Sequence, residues 1–226
     1  LDRSVRMLLR EKFALGLFEQ PFVDVEAAKR VVGNSYFVRL GNEAQRKQYT
    51  LLTNNENILP LSSDDKTPKF YVEGLNATLL TSRGMEEADL ALLRLQAPYE
   101  PRPGGFEANY HAGSLEYNAT EKARQASIYA AVPTIVDIYL DRPAAIPEIA
   151  ENAAALLGNY GASPDAFLDV VFGFEGAAPQ GKLPFDLPRS MVAVEASKED
   201  VPFDTENPVF RFGDGLSYES VCEEDC

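Results

Sequence analysis

The sequence predicts an α/β fold, a three-layer α/β/α sandwich built on a mostly parallel sheet. Short apolar runs recur along the chain without the strict alternation of a sheet that has one face in water. Helix-like stretches lie between these runs, and this order is typical of parallel strands joined by crossover helices. The chain has 226 residues, 45% of them hydrophobic, which is enough to bury such a core.

The N-terminal segment predicts helices joined by an extended connector. Apolar side chains at helical spacing run from 2 to 15, with Asp2 as the expected N-cap and Gly16 as the expected end. The segment carries charges throughout and does not have the pattern of a signal peptide, so we expect it to continue from a longer protein. Further helices are expected at about 25–32 and near 43–48.

The remaining elements alternate between strand and helix. The run YTLLTNNENILPL at 49–61 predicts a short strand that enters a turn. Further apolar runs predict strands at 69–74, 88–95 and 132–140, whereas periodicity alone leaves 153–161 as helix or strand. Ser163 and Pro164 are a good helix start, since serine caps the helix and proline fits its first turn. The predicted helices of this part are 119–131, 146–152 and 163–172.

Two long loops follow the predicted strands, at 97–117 and from 140 to 149. Parallel sheets bind ligands beyond the carboxyl ends of their strands. A loop of about twenty residues in a compact domain is usually functional or disordered. The loop 97–117 holds aromatic residues, carboxylates and the only histidine, which favours function. The tail at 179–218, rich in glycine and proline, predicts loops and short strands along the sheet edge.

The net charge of −14 disfavours nucleic acid or an anionic membrane as a partner, since both would be repelled. Neutral sugars feel no such repulsion, and an acidic surface also simply favours solubility. No apolar run is long enough to span a membrane. The sequence therefore predicts neither a nucleic acid nor a membrane partner.

We predict no cofactor and no metal site, because the sequence has no Walker or dinucleotide fingerprint. Cys222 and Cys226 with one distant histidine are too few for zinc. A small disulfide loop, a link to another segment and two free thiols all stay open for these cysteines. Asn-Ala-Thr triplets at Asn76 and Asn118 fit glycosylation acceptors and favour an extracytoplasmic location.

Four segments, in order, resemble glycoside hydrolase family 3. VRMLLREKFALGLFEQPFVD is similar to the helix and linker that follow the family's (β/α)8 barrel, and EAQRKQYTLLTNNENILPL to the entry into its second domain. GKLPFDLP followed by RFGDGLSY is similar to the closing signature of that domain. The stretch from LRLQAPYEPR to HAGSLEY resembles a β-glucosidase or β-xylosidase-like branch.

The resemblance implies the second domain of a retaining, exo-acting β-glycosidase that removes terminal β-linked glucose or xylose. It also implies that the nucleophile, an aspartate, lies in a barrel outside this chain, so the chain alone is expected to be inactive. A linker at 1–50, a domain of about six strands at 51–218 and a tail at 219–226 follow from it. The alternative is a non-catalytic carbohydrate-binding or structural module of the same fold.

A retaining glycosidase needs two carboxyl groups about 5–5.5 Å apart, one of them acting as general acid and then general base. The resemblance implies that the acid/base is a glutamate on a loop of the second domain. Glu100, directly after a strand end in PYEPR, is the first candidate and Glu107 the second, ahead of Glu116. The alternative for each is a solvated carboxylate or, for Glu100, an ion pair with Arg94 or Arg102.

Three aromatic residues of the same loop are candidates for stacking on the apolar face of a pyranose ring. Small-molecule sites commonly combine aromatic rings with a few polar groups. The alternative is that these rings only hold the loop against the domain. The candidates are Tyr99, Phe106 and Tyr110.

His111 and Arg142 are the remaining candidates for substrate binding. His111 is expected to donate a hydrogen bond to a sugar hydroxyl or to the catalytic glutamate, or else to hold the loop through backbone bonds. Arg142 follows a strand end in LDRP, where it would reach the same cleft or form a salt bridge with Asp141 or Glu148. A solvated or turn-capping role is expected for Asp204, Glu206 and Asp214.

Overall fold

The computed structural model describes residues 1–61, 68–76, 80–201 and 203–218. The chain divides into two compact units, Leu1–Asn42 and Glu43–Cys226. The expected division into 1–50, 51–218 and 219–226 stays a prediction. The tail, with Cys222 and Cys226, lies outside the described residues.

The N-terminal part consists of three helices, α1 (Asp2–Ala14), α2 (Val25–Val31) and α3 (Ser35–Lys47). Gly16 ends the α1 segment with a φ of +68°, as expected. Asp2 is not the N-cap: Leu1 holds that position, and Asp2 is an acidic residue of the first turn. None of the three helices has a buried residue.

Helix α3 begins well before the predicted start near residue 43. Asn34 precedes it, and its side-chain oxygen accepts a hydrogen bond from the backbone N–H of Tyr36 at 2.9 Å. This local cap satisfies an N–H group that has no partner inside the helix. The aromatic and branched residues that follow Asn34 have weak intrinsic helix preference, so the first turns were missed.

The second unit is built on one mixed sheet. The strands are β1 (Thr50–Asn54), β2 (Phe70–Glu73), β3 (Leu90–Gln96), β4 (Thr134–Tyr139) and β5 (Ala155–Asn159), and the order across the sheet is β1-β5-β4-β3-β2. All neighbours are parallel except β1 and β5, which are antiparallel. The mostly parallel α/β fold is confirmed, with five strands among the described residues where about six were expected. The ambiguous run at 153–161 forms β5.

Helices cover both faces of this sheet. Helix α6 (Pro164–Val171) packs on one face, where Phe167 and Val170 lie against Leu92 and Ile135. On the other face, Ile128 of α4 (Ala119–Ala131) and Ile149 of α5 (Pro147–Asn152) pack with strand residues. Because both faces are buried, the strands need apolar side chains at consecutive positions, which explains the lack of alternation.

The predicted helices of this unit are confirmed. Ser163 caps α6, and its hydroxyl oxygen accepts the backbone N–H of Ala166 at 3.2 Å. Asn118 caps α4 in the same way through the N–H of Glu121 at 2.9 Å. A seventh helix, α7 (Met191–Ala196), was not predicted, and it begins after Ser190, whose hydroxyl caps it.

The tail from 179 to 218 lies along the edge strand β1. The N–H of Leu216 donates to the carbonyl of Leu51 at 2.7 Å, and Gly181 donates to Tyr49 at 2.9 Å. These bonds satisfy backbone groups that an edge strand would otherwise leave open. The prediction of a tail that wraps the sheet edge is therefore confirmed. Asp204 and Asp214 each accept a nearby backbone N–H, as expected for turns.

Candidate functional site

The loops after β3 and β4 leave the same edge of the sheet. Gln96, the last residue of β3, pairs with Tyr139, the last residue of β4. The N–H of Ala97 then donates to the carbonyl of Tyr139 at 2.9 Å. The loop 97–117 and the segment from Leu140 onward therefore start side by side, where parallel sheets bind their ligands.

The loop 97–117 has an outgoing limb, which includes Tyr99 and Glu100, and a returning limb, which includes 111–114. Glu100 is bonded to the returning limb. Its backbone N–H donates to the carbonyl of Ala112 at 2.8 Å. Its carboxylate accepts the N–H of Ser114 at 3.3 Å. Arg94, one expected partner, instead forms an ion pair with Asp137, with 3.3 Å between nitrogen and oxygen. The side chain of Glu100 is exposed to solvent.

His111 lies on the returning limb and contacts both limbs of the loop. Its ring stacks on that of Tyr99, with centroids 3.9 Å apart and planes inclined by 17°. Its Nδ1 atom bonds to the carboxylate of Asp141, and the Gln96 amide lies 3.2 Å from the same atom. An ionised carboxylate only accepts hydrogen bonds, so Nδ1 is the donor and carries a proton.

The side chain of Arg142 binds the backbone of the same limb. Its Nη2 atom donates to the carbonyl of Gly113 at 2.9 Å. Arg142 forms no salt bridge with either expected acidic partner. Asp141 binds His111, and Glu148 accepts a hydrogen bond from the ammonium of Lys122 at 2.6 Å. The Nη1 atom of Arg142 is buried and has no hydrogen-bond partner among the described residues.

Asp141 belongs to the site, although the sequence indicates it only as a partner for Arg142. It lies two residues after the end of β4 and binds a side chain of the loop 97–117. Its position in LDRP, next to a candidate residue and after a strand end, was the available signal. Its link to His111 joins residues 30 positions apart, which no local sequence pattern encodes.

The tip of the loop is separate from these contacts. Glu107, Phe106 and Tyr110 are exposed, and the two rings meet edge-on with centroids 5.3 Å apart. No hydrogen bond or ring contact in the described part of the chain joins them to Glu100 or His111. The structure thus brings Tyr99, Glu100, His111 and Arg142 together and leaves the tip residues apart.

Glu116 is held in a different environment. Its carboxylate accepts the backbone N–H of Met191 at 2.8 Å and the ammonium of Lys122 at 3.4 Å. The bond from Met191, followed by the interaction with Lys122, lowers the pKa of this carboxyl. A carboxyl that gives up its proton readily is poorly suited to act as a general acid near neutral pH.

An open cleft of about 240 Å³ borders Tyr99 on the side of α4. Polar side chains and backbone form much of its lining. Glu116 and Glu121 in this lining are paired with Lys122 and Arg124, respectively. The cleft is therefore chemically compatible with a neutral, hydroxyl-bearing ligand. The lining residues are Gln96, Ala97, Pro98, Tyr99, Glu116, Tyr117, Asn118 and Glu121.

A buried polar cluster supports the strand ends beneath the loops. Asp137 of β4 is fully buried and accepts hydrogen bonds from Asn159 and, at 3.4 Å, from Tyr49. Burial raises the pKa of Asp137 to about 6, against the attraction of Arg94. The side-chain oxygen of Asn159 accepts the N–H of Gly161 at 3.0 Å, so the cluster also shapes the loop after β5.

Comparison with known proteins adds close relatives. Probable β-glucosidase C of Aspergillus oryzae is 67% identical over 98% of this chain and 35% of the relative's length. A periplasmic β-glucosidase/β-xylosidase of Dickeya chrysanthemi is 36% identical over 96% of this chain and 34% of its own length. This chain is a relative of the β-glucosidases of glycoside hydrolase family 3. The resemblance drawn from four sequence segments is confirmed.

The chain matches the C-terminal part of these β-glucosidases and spans about a third of their length. The solved β-glucosidase of Listeria innocua in complex with glucose has the same fold, with a TM-score of 0.67 at 18% identity. That match covers 93% of this chain and 37% of the other. No family model matches the chain. The position as a second domain after a larger N-terminal part agrees with the prediction.

Proposed function

We propose that this chain is part of a retaining, exo-acting β-glycosidase and supplies its general acid/base, Glu100, for hydrolysis of terminal β-linked glucose or xylose. The observation that carries the proposal is the way Glu100 is held. Its backbone and its carboxylate are both bonded to the returning limb of the loop, at the edge where the strands end. General acid catalysis requires a carboxyl held within hydrogen-bond reach of the leaving oxygen.

In this proposal Glu100 acts twice. It first protonates the glycosidic oxygen while a nucleophilic carboxylate, which this chain does not supply, attacks the anomeric carbon. As a carboxylate it then takes a proton from the water that cleaves the glycosyl-enzyme intermediate. Glu107 is the second candidate, and its position at the exposed loop tip gives it fewer fixed contacts.

Neighbouring side chains are proposed to bind the sugar. One face of the Tyr99 ring is covered by His111, which leaves the other face for a pyranose ring. The Nδ1 atom of His111 is occupied by Asp141, so Nε2 is the atom available to a sugar hydroxyl. One buried nitrogen of Arg142 has no hydrogen-bond partner in the part of the chain that the structure describes, and Phe106 and Tyr110 would close over the site from the loop tip.

The remaining part of the enzyme is proposed to cover apolar residues that this chain exposes. Leu8 and Phe13 of α1 are 65% and 59% exposed, and Phe22 is 90% exposed. Exposed apolar groups at this density favour contact with another protein surface, here the N-terminal barrel. The named periplasmic relative from Dickeya chrysanthemi supports an extracytoplasmic location. No helix of the described residues is long and apolar enough to cross a membrane.

The test uses a protein in which this chain is joined to the N-terminal part of the Aspergillus oryzae relative that it does not cover. Glu100→Gln should lower kcat/KM for methyl β-glucoside by about 10²–10⁴-fold, because an alkoxide leaving group needs a proton. With 2,4-dinitrophenyl β-glucoside, azide should restore turnover and yield β-glucosyl azide. Glu107→Gln is the matched control and should stay close to the unmodified rate.

The outcomes separate the candidate roles. If Glu107→Gln shows the azide rescue and Glu100→Gln does not, the assignment to Glu100 is wrong. If the joined protein folds and hydrolyses no β-glucoside or β-xyloside, the proposed activity is wrong. Calorimetry with glucose and xylose then tests the non-catalytic, carbohydrate-binding alternative on the chain itself.

A further inference from the structure

We infer that Asp141 is a positioning residue that, through His111, holds the loop limb on which the placement of Glu100 depends. The inference rests on the proposed function, because it takes Glu100 as the general acid/base. It adds a residue on a different segment, two positions after the end of β4, to the acid loop that follows β3.

Two consecutive residues after β4 hold the returning limb at two points. Asp141 binds the side chain of His111, and Arg142 donates to the carbonyl of Gly113 at 2.9 Å. Ala112 lies between these points, and its carbonyl accepts the N–H of Glu100 at 2.8 Å. Ala112, whose carbonyl binds the backbone of Glu100, is therefore held on both sides, at His111 and at Gly113, by residues that follow β4.

The imidazole ring of His111 also connects Asp141 to the outgoing limb. It stacks on Tyr99, the residue immediately before Glu100, at 3.9 Å between centroids. The carboxylate of Asp141 fixes the ring plane and keeps the proton on Nδ1. The side chains of His111 and Asp141 are only 25% and 21% exposed, so water competes weakly for their hydrogen bond.

Catalysis by a general acid is sensitive to small displacements of the acid group. A shift of about 1 Å in a reacting group can lower a rate by about 10²-fold. Loss of the Asp141 carboxylate frees the His111 ring and loosens Ala112 and Tyr99, which hold Glu100. The effect should be large only for substrates whose leaving group must be protonated, because other substrates do not use the acid in the first step.

The experiment compares three variants of the joined enzyme on a series of alkyl and aryl β-glucosides with leaving groups of increasing basicity. Asp141→Ala should lower kcat/KM by about 10- to 100-fold for methyl β-glucoside and by less than about threefold for 2,4-dinitrophenyl β-glucoside. Asp141→Asn keeps an oxygen that accepts from Nδ1 and should recover most of the loss. Glu151→Ala removes an exposed carboxylate of α5 and should match the unmodified enzyme on all substrates.

A purely structural role predicts a different pattern. An equal loss on all leaving groups, with the asparagine variant no better than alanine, would overturn the inference. If Asp141→Ala does not fold, His111→Phe decides the matter, since it keeps a ring on Tyr99 and lacks the nitrogen. His111→Phe should then show the dependence on leaving group, and a flat response from this folded variant also overturns the inference.

The failure of the proposed function gives a distinguishable result. If Glu100→Gln itself shows no dependence on the leaving group, Glu100 is not the acid and the proposed function is wrong. If Glu100→Gln shows the dependence and neither Asp141→Ala nor His111→Phe does, the proposed function stands and only the role of Asp141 is wrong.

Discussion

The carboxylate of Glu100 lies against the Cα atom of Gly113. A Cβ atom added to Gly113 would lie 2.4 Å from Oε2 of Glu100, closer than such atoms approach in real proteins. Gly113 also has a φ of +80°, a region that glycine adopts without the steric penalty of a Cβ. The space next to the proposed acid thus exists because position 113 has no side chain.

Replacement of Gly113 should therefore disturb both stability and Glu100. Gly113→Ala is expected to lower the free energy of unfolding by about 1–3 kcal/mol and to displace the Glu100 carboxylate. Urea unfolding of the chain measures the first effect, and kcat/KM of the joined enzyme on methyl β-glucoside the second. Gly105→Ala in the same loop meets no atom within 4 Å and is the matched control. Equal effects from both substitutions would show that general loop stiffness, rather than the Glu100 contact, is responsible.

The buried Asp137 should make stability depend on pH. Burial raises the pKa of its carboxyl to about 6 from 3.8. The folded chain then holds this proton more tightly than the unfolded chain. The contribution of Asp137 to stability is therefore full below about pH 4 and is lost as the pH rises through about 6.

Asp137→Asn removes this titration and leaves the other carboxyl groups in place. The free energy of unfolding of the unmodified chain, minus that of the variant, is expected to fall by about 2 kcal/mol between pH 4 and pH 7. Urea unfolding of both proteins at several pH values measures the difference. A difference that stays constant or grows with pH would show that Arg94, not burial, dominates the pKa of Asp137.

Phe167 on α6 should contribute strongly to the stability of the second unit. It is fully buried, and its ring lies 6.2 Å from that of Tyr49. Phe167→Ala is expected to lower the free energy of unfolding by about 3–5 kcal/mol, because it removes apolar contacts and leaves a cavity. Phe174→Ala, at a position 55% exposed, should have a much smaller effect on the urea midpoint. Similar effects from the two substitutions would contradict the packing of α6 on the sheet.

The contribution of the Ser163 cap of α6 to stability should be measurable by itself. Ser163→Ala removes the acceptor for the N–H of Ala166 and is expected to lower the free energy of unfolding by about 1 kcal/mol. Ser127→Ala, on the exposed part of α4, makes the same chemical change without removing a cap and should be near neutral. Thermal or urea unfolding of both variants checks the comparison, and a neutral Ser163→Ala would show that α6 starts without help from this side chain.

Much of the fold follows from local patterns. The run ATEKARQASIYAA predicts a helix at 119–131, which is where α4 lies, and the apolar run at 132–140 contains β4. Local sequence encodes these elements because helix periodicity, caps and buried runs act over a few residues. Helix α7 is not predictable from the sequence in this way. It has only six residues, and its one start signal, Ser190, lies in a segment rich in proline and glycine.

The candidate site was predictable in part. Glu100, His111 and Tyr99 could be named because they lie in one long loop after a buried strand. The ranking of Glu100 over Glu107 stays a prediction, although the structure gives Glu100 the larger number of fixed contacts. The sequence indicates Asp141 only as a partner for Arg142, and no local pattern predicts its bond to His111.

Patterns along the chain are enough to predict the α/β class, most of the helices and strands, the family resemblance and the loop that carries the proposed acid. The folded chain is needed to show which groups meet: His111 with Asp141, Gly113 with Arg142 and Glu100, and Arg94 with Asp137. The two kinds of information differ because the interactions behind them act over different distances along the chain. Caps and periodicity act between neighbours along the chain, whereas these contacts depend on the parallel register that brings the ends of β3 and β4 together.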